Sequence, residues 1–227
     1  MENKSVIWDL DGTLFDSYKI YVPILQESVK EKGVFIEENE IFEEIITYTI
    51  GHFWRSVQQK YGISIEYLSE RYYELVNERN SQIKPMQNAE KLLENLQNLG
   101  VKQFVYTHKD KSANDVLDRM NIAKYFTEVV TSENGFARKP SAEAVEYLLE
   151  KYNLEKDNTF YIGDRQIDID CGKNAQIKTI LFLQENGFAK ISGNEDFVVK
   201  DLLEISDILK KFKRIGEFQN ENKRCNF

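Results

Sequence analysis

Residues 4–17 read Lys-Ser-Val-Ile-Trp-Asp-Leu-Asp-Gly-Thr-Leu-Phe-Asp-Ser, and this string narrows the possible folds more than any other stretch of the chain. Its apolar run, Val6-Ile7-Trp8, suits a strand buried on both faces, as in a parallel sheet. Such sheets bind ligands outside the carboxyl ends of their strands, which is where Asp9 and Asp11 fall. Strand alternation puts positions i and i+2 on one side, so the two carboxylates can share a pocket. Gly12 permits a sharp turn behind them. Two carboxylates 4 Å apart repel by roughly 4 kcal/mol at an effective dielectric of 20, so a site that keeps both ionised calls for a cation. An Asp-Gly pair alone reads equally well as an ordinary turn. The longer string, from Asp9 to Ser17, is what singles out a site.

The rest of the chain supplies the frame. After Ser17 the apolar spacing is helical as far as Ile83. Ile20, Ile24, Leu25, Ser28 and Val29 make one face, and Ile41, Phe42, Ile45 and Ile46 a second. Phe53, Trp54, Val57 and Tyr61 make a third, closed by Gly62, and Tyr67, Leu68, Arg71, Tyr72 and Leu75 a fourth. They predict a small bundle of about four helices. The texture changes at Pro85, where Met86, Ala89, Leu92, Leu93, Leu96 and Leu99 form an apolar stripe that ends at Gly100. Strands are then expected at 101–107, 126–131, 159–162 and 178–183. They alternate with helices at 112–120, 142–152 and 169–175, and a last helix is expected at 202–212. This alternation implies βαβ units with right-handed crossovers, hence an α/β fold built on a doubly wound parallel sheet. The expected division is an α/β core at 1–16 and 84–212, a helical insert at 17–83, and a loosely held polar tail at 213–227.

Composition bounds the function. The formal charge of −8 argues against non-specific nucleic-acid binding, but not against an anionic substrate held by local cations. Cys171 and Cys225 make no metal motif and fit a reducing compartment. No charged-then-apolar leader opens the sequence and no apolar run spans a bilayer, so the expectation is a cytoplasmic protein without a membrane partner. Nothing in the sequence speaks to its oligomeric state.

Three further strings lie where strands end or helices begin. Gln103-Phe104-Val105-Tyr106-Thr107-His108 is an apolar strand ending in a hydroxyl, which can donate to an anionic oxygen. His108 either lines the pocket or is an ordinary loop histidine. Arg138-Lys139-Pro140-Ser141 carries a Pro suited to a first helical turn, which would hold Lys139 at the mouth of a helix and leave Arg138 at the surface. Tyr161-Ile162-Gly163-Asp164-Arg165-Gln166-Ile167-Asp168-Ile169 follows an apolar strand with two more acids. Each string alone is a weak signal, but all four occur in order.

Together they resemble the motifs of the haloacid dehalogenase superfamily, most of whose members are Mg-dependent phosphatases. The general pattern is most similar to phosphoglycolate-phosphatase-like hydrolases of subfamily IA. The resemblance implies that the insert at 17–83 is a helical cap of the C1 type. It implies that Asp9 is the nucleophile, attacking phosphorus to form an aspartyl-phosphate, and that Asp11 serves as acid and then base. Asp9, the main-chain carbonyl of Asp11, and Asp164 would hold Mg2+, while Thr107 and Lys139 would bind the phosphoryl oxygens. Asp168 would orient Lys139 or a metal-bound water, or cap the helix that follows. The implied substrate is a small phosphorylated metabolite.

Within the insert, Thr49-Ile50-Gly51-His52-Phe53-Trp54-Arg55 offers a helix break at Gly51, with His52 and Arg55 as candidates for a second anionic group on the substrate. The competing reading puts Phe53 and Trp54 in the bundle core and Arg55 in solvent. Sugar-phosphate mutases of the superfamily carry a His in the first cap helix where this chain has Tyr21, which counts against a mutase. The namesake dehalogenases lack the second aspartate, present here as Asp11. Phosphonate-cleaving relatives use a cap lysine, and Lys19 and Lys30 occupy that region. A regulatory phosphoprotein of the response-regulator kind is the rival from another class. Two departures from the family pattern are Asn88 and Gln176, each where family members often have Gly.

Overall fold

The computed structural model describes residues 3–184 and 187–212. Strand β1 (Ser5–Trp8) is buried along its whole length and forms the centre of a six-stranded, all-parallel sheet. It lies between β2 (Lys102–Tyr106) and β4 (Thr159–Gly163), with Trp8 in register with both Val105 and Ile162. Strand β3 (Glu128–Val130) flanks β2, and β5 (Lys178–Phe182) and β6 (Phe197–Val199) extend the other side, giving the order β3-β2-β1-β4-β5-β6. The chain therefore winds outward one way from β1 to β3 and the other way from β4 to β6. The carboxyl ends of β1 and β4 mark the point where the winding reverses, and a ligand crevice opens at such a point.

Alternation assigns the core. Val6 and Trp8 face one side of the sheet and pack in a cluster with Leu92, Leu93, Ile205 and Leu209. Ile7 faces the other side and joins Phe104, Tyr161, Val145 and Leu148. The first layer is supplied by α5 (Ala89–Asn98), α6 (Ser112–Arg119) and α9 (Glu204–Lys211). The second is supplied by α7 (Glu143–Lys151) and α8 (Gln166–Asn174).

The stretch between β1 and α5 is helical, as its spacing predicts: α1 (Tyr18–Lys30), α2 (Glu38–Thr47), α3 (Ile50–Tyr61) and α4 (Ile65–Arg79). The Thr49 hydroxyl caps α3 by accepting from the His52 N–H at 3.0 Å, and Gly62 ends it in the left-handed region. Ser64 caps α4 in the same way. The chain leaves and re-enters the sheet domain side by side. Asp16 N–H donates to the Lys84 carbonyl at 2.9 Å and Met86 N–H to the Leu14 carbonyl at 2.8 Å.

Several expectations need correction. The break between the second and third helices falls at Tyr48-Thr49, and Gly51 lies inside the first turn of α3. Helix α8 begins at Gln166, three residues before Ile169, which places Asp168 in its first turn. Helix α7 begins at Glu143, so Lys139 and Pro140 belong to the preceding loop and not to a first helical turn. Strand β6 was not expected, because three residues between polar loops carry no period to read. Tyr61 is exposed, not part of the bundle core. Asn88 and Gln176 both adopt the left-handed conformation, at φ 66° and 61°, so the turns that favour Gly are kept without it. The polar segment 213–227, with Cys225, lies outside the described residues.

Candidate active site

Three parallel strands deliver the polar residues to one place. Asp9 follows β1 and its N–H still donates to the Ile162 carbonyl at 2.9 Å, so the sheet holds it. Thr107 follows β2, its N–H bonded to the Val130 carbonyl, and Asp164 follows β4. Behind Asp9 the chain folds tightly: the N–H groups of Thr13, Leu14 and Phe15 all converge on the Leu10 carbonyl. Gly12 sits in this turn at φ 86°, and a Cβ there would collide with the Tyr18 ring and the Asp164 carboxylate. A Cβ at Gly163 would likewise strike Asp168. These two glycines are what allow the acids to approach.

Single oxygens of Asp9, Asp164 and Asp168 lie within 4.8 Å of one another, all buried. Lys139 reaches into the group. Its Nζ stands 2.5 Å from Asp9 Oδ1 and 2.8 Å from Asp168 Oδ1, with its side chain only 3% exposed. Burial works against the Lys139 ammonium, but Asp168 and Asp9 outweigh it and hold its pKa well above the usual lysine value. Burial raises Asp9 to about 7, opposed by Lys139 and reinforced by Asp168 and Asp11. Burial, then Asp9 and Asp168, push Asp164 well above the usual carboxylate range. Three carboxylates face the Lys139 ammonium and the nearby Arg165 guanidinium, an excess of acid in a buried pocket that a divalent cation would offset.

The donor set fits such an ion. Both Asp168 oxygens are already engaged, Oδ1 with Lys139 and Oδ2 with the Arg165 N–H at 3.2 Å. Asp168 thus braces the first turn of α8 and orients Lys139 at once. Asp164 Oδ1 accepts from the Thr13 hydroxyl at 3.1 Å. The remaining oxygens of Asp9 and Asp164 accept no hydrogen bond among the described residues, which leaves them as hard ligands of the kind Mg2+ prefers.

The other candidates take less expected places. His108 Nε2 accepts the Lys139 backbone N–H at 2.9 Å, which makes it a support for the Lys139 loop. Burial first, then the nearby Lys139, hold its pKa down to about 3, so the ring is neutral with its proton on Nδ1. The Thr107 hydroxyl oxygen accepts from the Lys109 N–H at 3.1 Å, leaving its hydrogen to donate elsewhere. Asp11 is turned toward the inserted helices, where its Oδ1 accepts from the Tyr21 hydroxyl at 3.2 Å. His52 stacks on Tyr48 and pairs with Glu44, and Arg55 is exposed. No contact among the described residues brings either of them to the acids. Phe53 is fully buried. Lys19 pairs with Asp16 at the surface and Lys30 is exposed at the end of α1.

Two side chains that the sequence did not mark also matter. Arg165 donates through Nε to the Ile46 carbonyl and through Nη2 to the Tyr48 carbonyl, fastening the end of α2 over the acidic loop. Gln184 Nε2 donates to the Gly12 carbonyl at 2.6 Å and props the turn from the β5 side. A cleft of about 510 Å³ is lined by Gln184, Tyr18, Phe42, Phe182 and Asp201, and none of Asp9, Asp164 and Asp168 is in its walls.

The chain is similar to known proteins over most of its length. Residues 6–182 match the family model of the haloacid dehalogenase-like hydrolases. A phosphoglycolate phosphatase of Aquifex aeolicus is 29% identical over 89% of this chain and 96% of its own length. A glyceraldehyde 3-phosphate phosphatase of Methanocaldococcus jannaschii is 27% identical over 93% of this chain and 99% of its own. The crystal structure of a hydrolase from Streptococcus pneumoniae TIGR4 superposes with a TM-score of 0.62, at 31% identity over 80% of this chain and 94% of that one.

Proposed function

Because the chain belongs to the haloacid dehalogenase-like hydrolases, as a phosphatase-type enzyme similar to phosphoglycolate phosphatases, we propose that it hydrolyses a small phosphorylated metabolite through a phosphorylated Asp9, with Mg2+ as cofactor. The observation that carries this reading is the buried cluster of Asp9, Asp164 and Asp168, in which Lys139 pairs with Asp9 and Asp168 and carboxylates outnumber the nearby cations. Structural ion pairs are seldom left with this excess of one sign, whereas phosphoryl transfer needs it for a cation.

In this reading the Asp9 carboxylate attacks phosphorus, the bond to the leaving oxygen breaks, and Asp11 delivers a proton to that oxygen. The deprotonated Asp11 then takes a proton from water as the water attacks phosphorus. Inorganic phosphate leaves and the Asp9 carboxylate is restored. Lys139 and the Thr107 hydroxyl hold the equatorial oxygens, and Asp168 and His108 keep Lys139 in place, one through the side chain and one through the backbone. Asp9, Asp164 and the Asp11 carbonyl would hold Mg2+, whose positive charge would let an anionic nucleophile meet an anionic substrate.

The helices at 17–83 act as the cap over a core at 1–16 and 84–212. Arg165 and the Asp11–Tyr21 bond are two of the points where the insert meets the acidic loops. No helix among the described residues is long and apolar enough to cross a membrane. The substrates named for the two curated relatives are both small phosphate esters, and a compound of that kind is the proposed substrate here.

The test is phosphate release from a panel of small phosphate esters, with Mg2+, with EDTA, and with Asp9→Asn as control. Release that needs Mg2+ and disappears in the variant supports the reading. Release that persists in EDTA, or in a verified Asp9→Asn sample, overturns it.

A further inference from the structure

Tyr21 has no role in the reaction as described so far. The residue is 4% exposed and sits one turn into α1, the first helix of the insert. Its hydroxyl donates to Asp11 Oδ1 at 3.2 Å and accepts from Lys109 Nζ at 2.7 Å. Asp11 and Lys109 both belong to the α/β core, following β1 and β2 respectively. Tyr21 therefore bridges two core loops from the insert.

We infer that Tyr21, set by Lys109, is a positioning residue for Asp11 that fixes which carboxyl oxygen faces the leaving group. The inference rests on the phosphatase reading and on three features of the geometry.

A tyrosine hydroxyl has one hydrogen and two acceptor lone pairs. The Lys109 ammonium can only donate, so it occupies the acceptor side and directs the phenolic hydrogen to Asp11. The bond to Oδ1 survives both halves of the reaction, because that oxygen accepts whether the proton rides on Oδ2 or has left. Oδ2 accepts no hydrogen bond among the described residues and is the oxygen free to carry a proton. Finally, the Tyr21 ring cannot swing away freely. Tyr72 packs edge-on against it at 6.0 Å, and Trp54 packs on Tyr72 at 5.6 Å.

Tyr21→Phe removes the hydroxyl and keeps the ring, and Lys109→Met removes the charge and keeps the stem. The readout is single-turnover release of the leaving group, which isolates the first chemical step. Two esters are compared: the best alkyl phosphate of the panel, whose leaving oxygen needs a proton, and p-nitrophenyl phosphate, whose leaving group departs as the anion. Tyr21→Phe is expected to slow the alkyl ester about 10- to 100-fold, part of the factor a positioned general acid supplies, and the aryl ester by less than about threefold. Lys109→Met is expected to show the same selectivity, and the double variant to be no worse than Tyr21→Phe, since both act on one bond.

Equal losses on the two esters, or no loss, would overturn the inference while leaving the phosphatase reading intact. A wild type that turns over neither ester overturns both.

Discussion

Lys139 Nζ lies 2.8 Å from Asp168 Oδ1, and the other oxygen of the same carboxylate holds the Arg165 N–H at the start of α8. One carboxylate thus serves the helix and the lysine together. Asp168→Asn cannot do both with one acceptor, because its amide nitrogen then faces a donor, either the Lys139 ammonium or the Arg165 N–H. A loss of stability of about 1–3 kcal/mol is expected, together with a 10- to 100-fold fall in kcat from a misplaced Lys139. Lys139→Met should cost more, about 3–5 kcal/mol in the absence of metal, because it takes the paired ammonium from both Asp9 and Asp168. Urea titrations in EDTA and steady-state kinetics check both. A Lys139→Met protein as stable as wild type would contradict the charge balance described for the site.

Metal should stabilise the fold in a pH-dependent way. Without a cation, burial pushes the Asp9 carboxyl up to about 7 in the folded chain, above its ordinary 3.8. The folded state then holds the extra proton between those values. Its contribution to stability is therefore full at low pH and is lost as pH rises through about 7. Mg2+ offsets that loss. The stabilisation by Mg2+, read as a rise in Tm, should thus be small near pH 5 and large near pH 8, where a hundredfold excess over Kd is worth about 2.7 kcal/mol. A Mg2+ effect independent of pH would count against Asp9 as a ligand.

Asp9→Asn separates stability from activity. It removes one of three mutually repelling acids while Asp168 still pairs Lys139. In EDTA at pH 8 the variant should be at least as stable as wild type, and it should gain less from Mg2+. Urea midpoints with and without Mg2+ measure this directly.

His108 carries the opposite sign. Its folded pKa, about 3, lies below the ordinary 6.5, because burial and Lys139 disfavour the charged ring. The stability it confers is present above 6.5 and lost as pH falls toward 3. His108→Ala should flatten this part of the stability–pH curve and leave the Lys139 N–H without its acceptor. The expected kinetic effect is a fall in kcat with Mg2+ affinity unchanged. An unaltered acid limb of the stability curve would rule out the neutral buried His108.

Gln176 occupies the left-handed conformation at φ 61°, which favours Gly. Gln176→Gly should therefore stabilise the protein by about 1 kcal/mol without touching activity, as read from urea denaturation.

Much of this was legible before any coordinates. The alternation of strand and helical periods from Pro85 onward implies the parallel sheet. Val6-Ile7-Trp8 ahead of two acids identifies the central strand, because only a strand covered on both faces tolerates such a run. Strand ends are local events, so the positions of Asp9, Thr107 and Asp164 follow from the same reading. What the sequence could not determine lies in contacts between distant segments. The family resemblance implied that Lys139 meets these acids, but its pairing with Asp9 and Asp168 at once, 130 and 29 residues away, depends on how a loop folds back on the sheet. His108 as a backbone acceptor, Arg165 fastened to α2, and Tyr21 bridging Asp11 to Lys109 have no sequence signature, since hydrogen-bond partners are chosen by tertiary approach and not by spacing. Local periodicity and composition determined the frame and listed the chemistry. The packing of the inserted helices against the sheet decided which groups meet, because burial turns each unpaired charge into a cost that only a particular partner can remove.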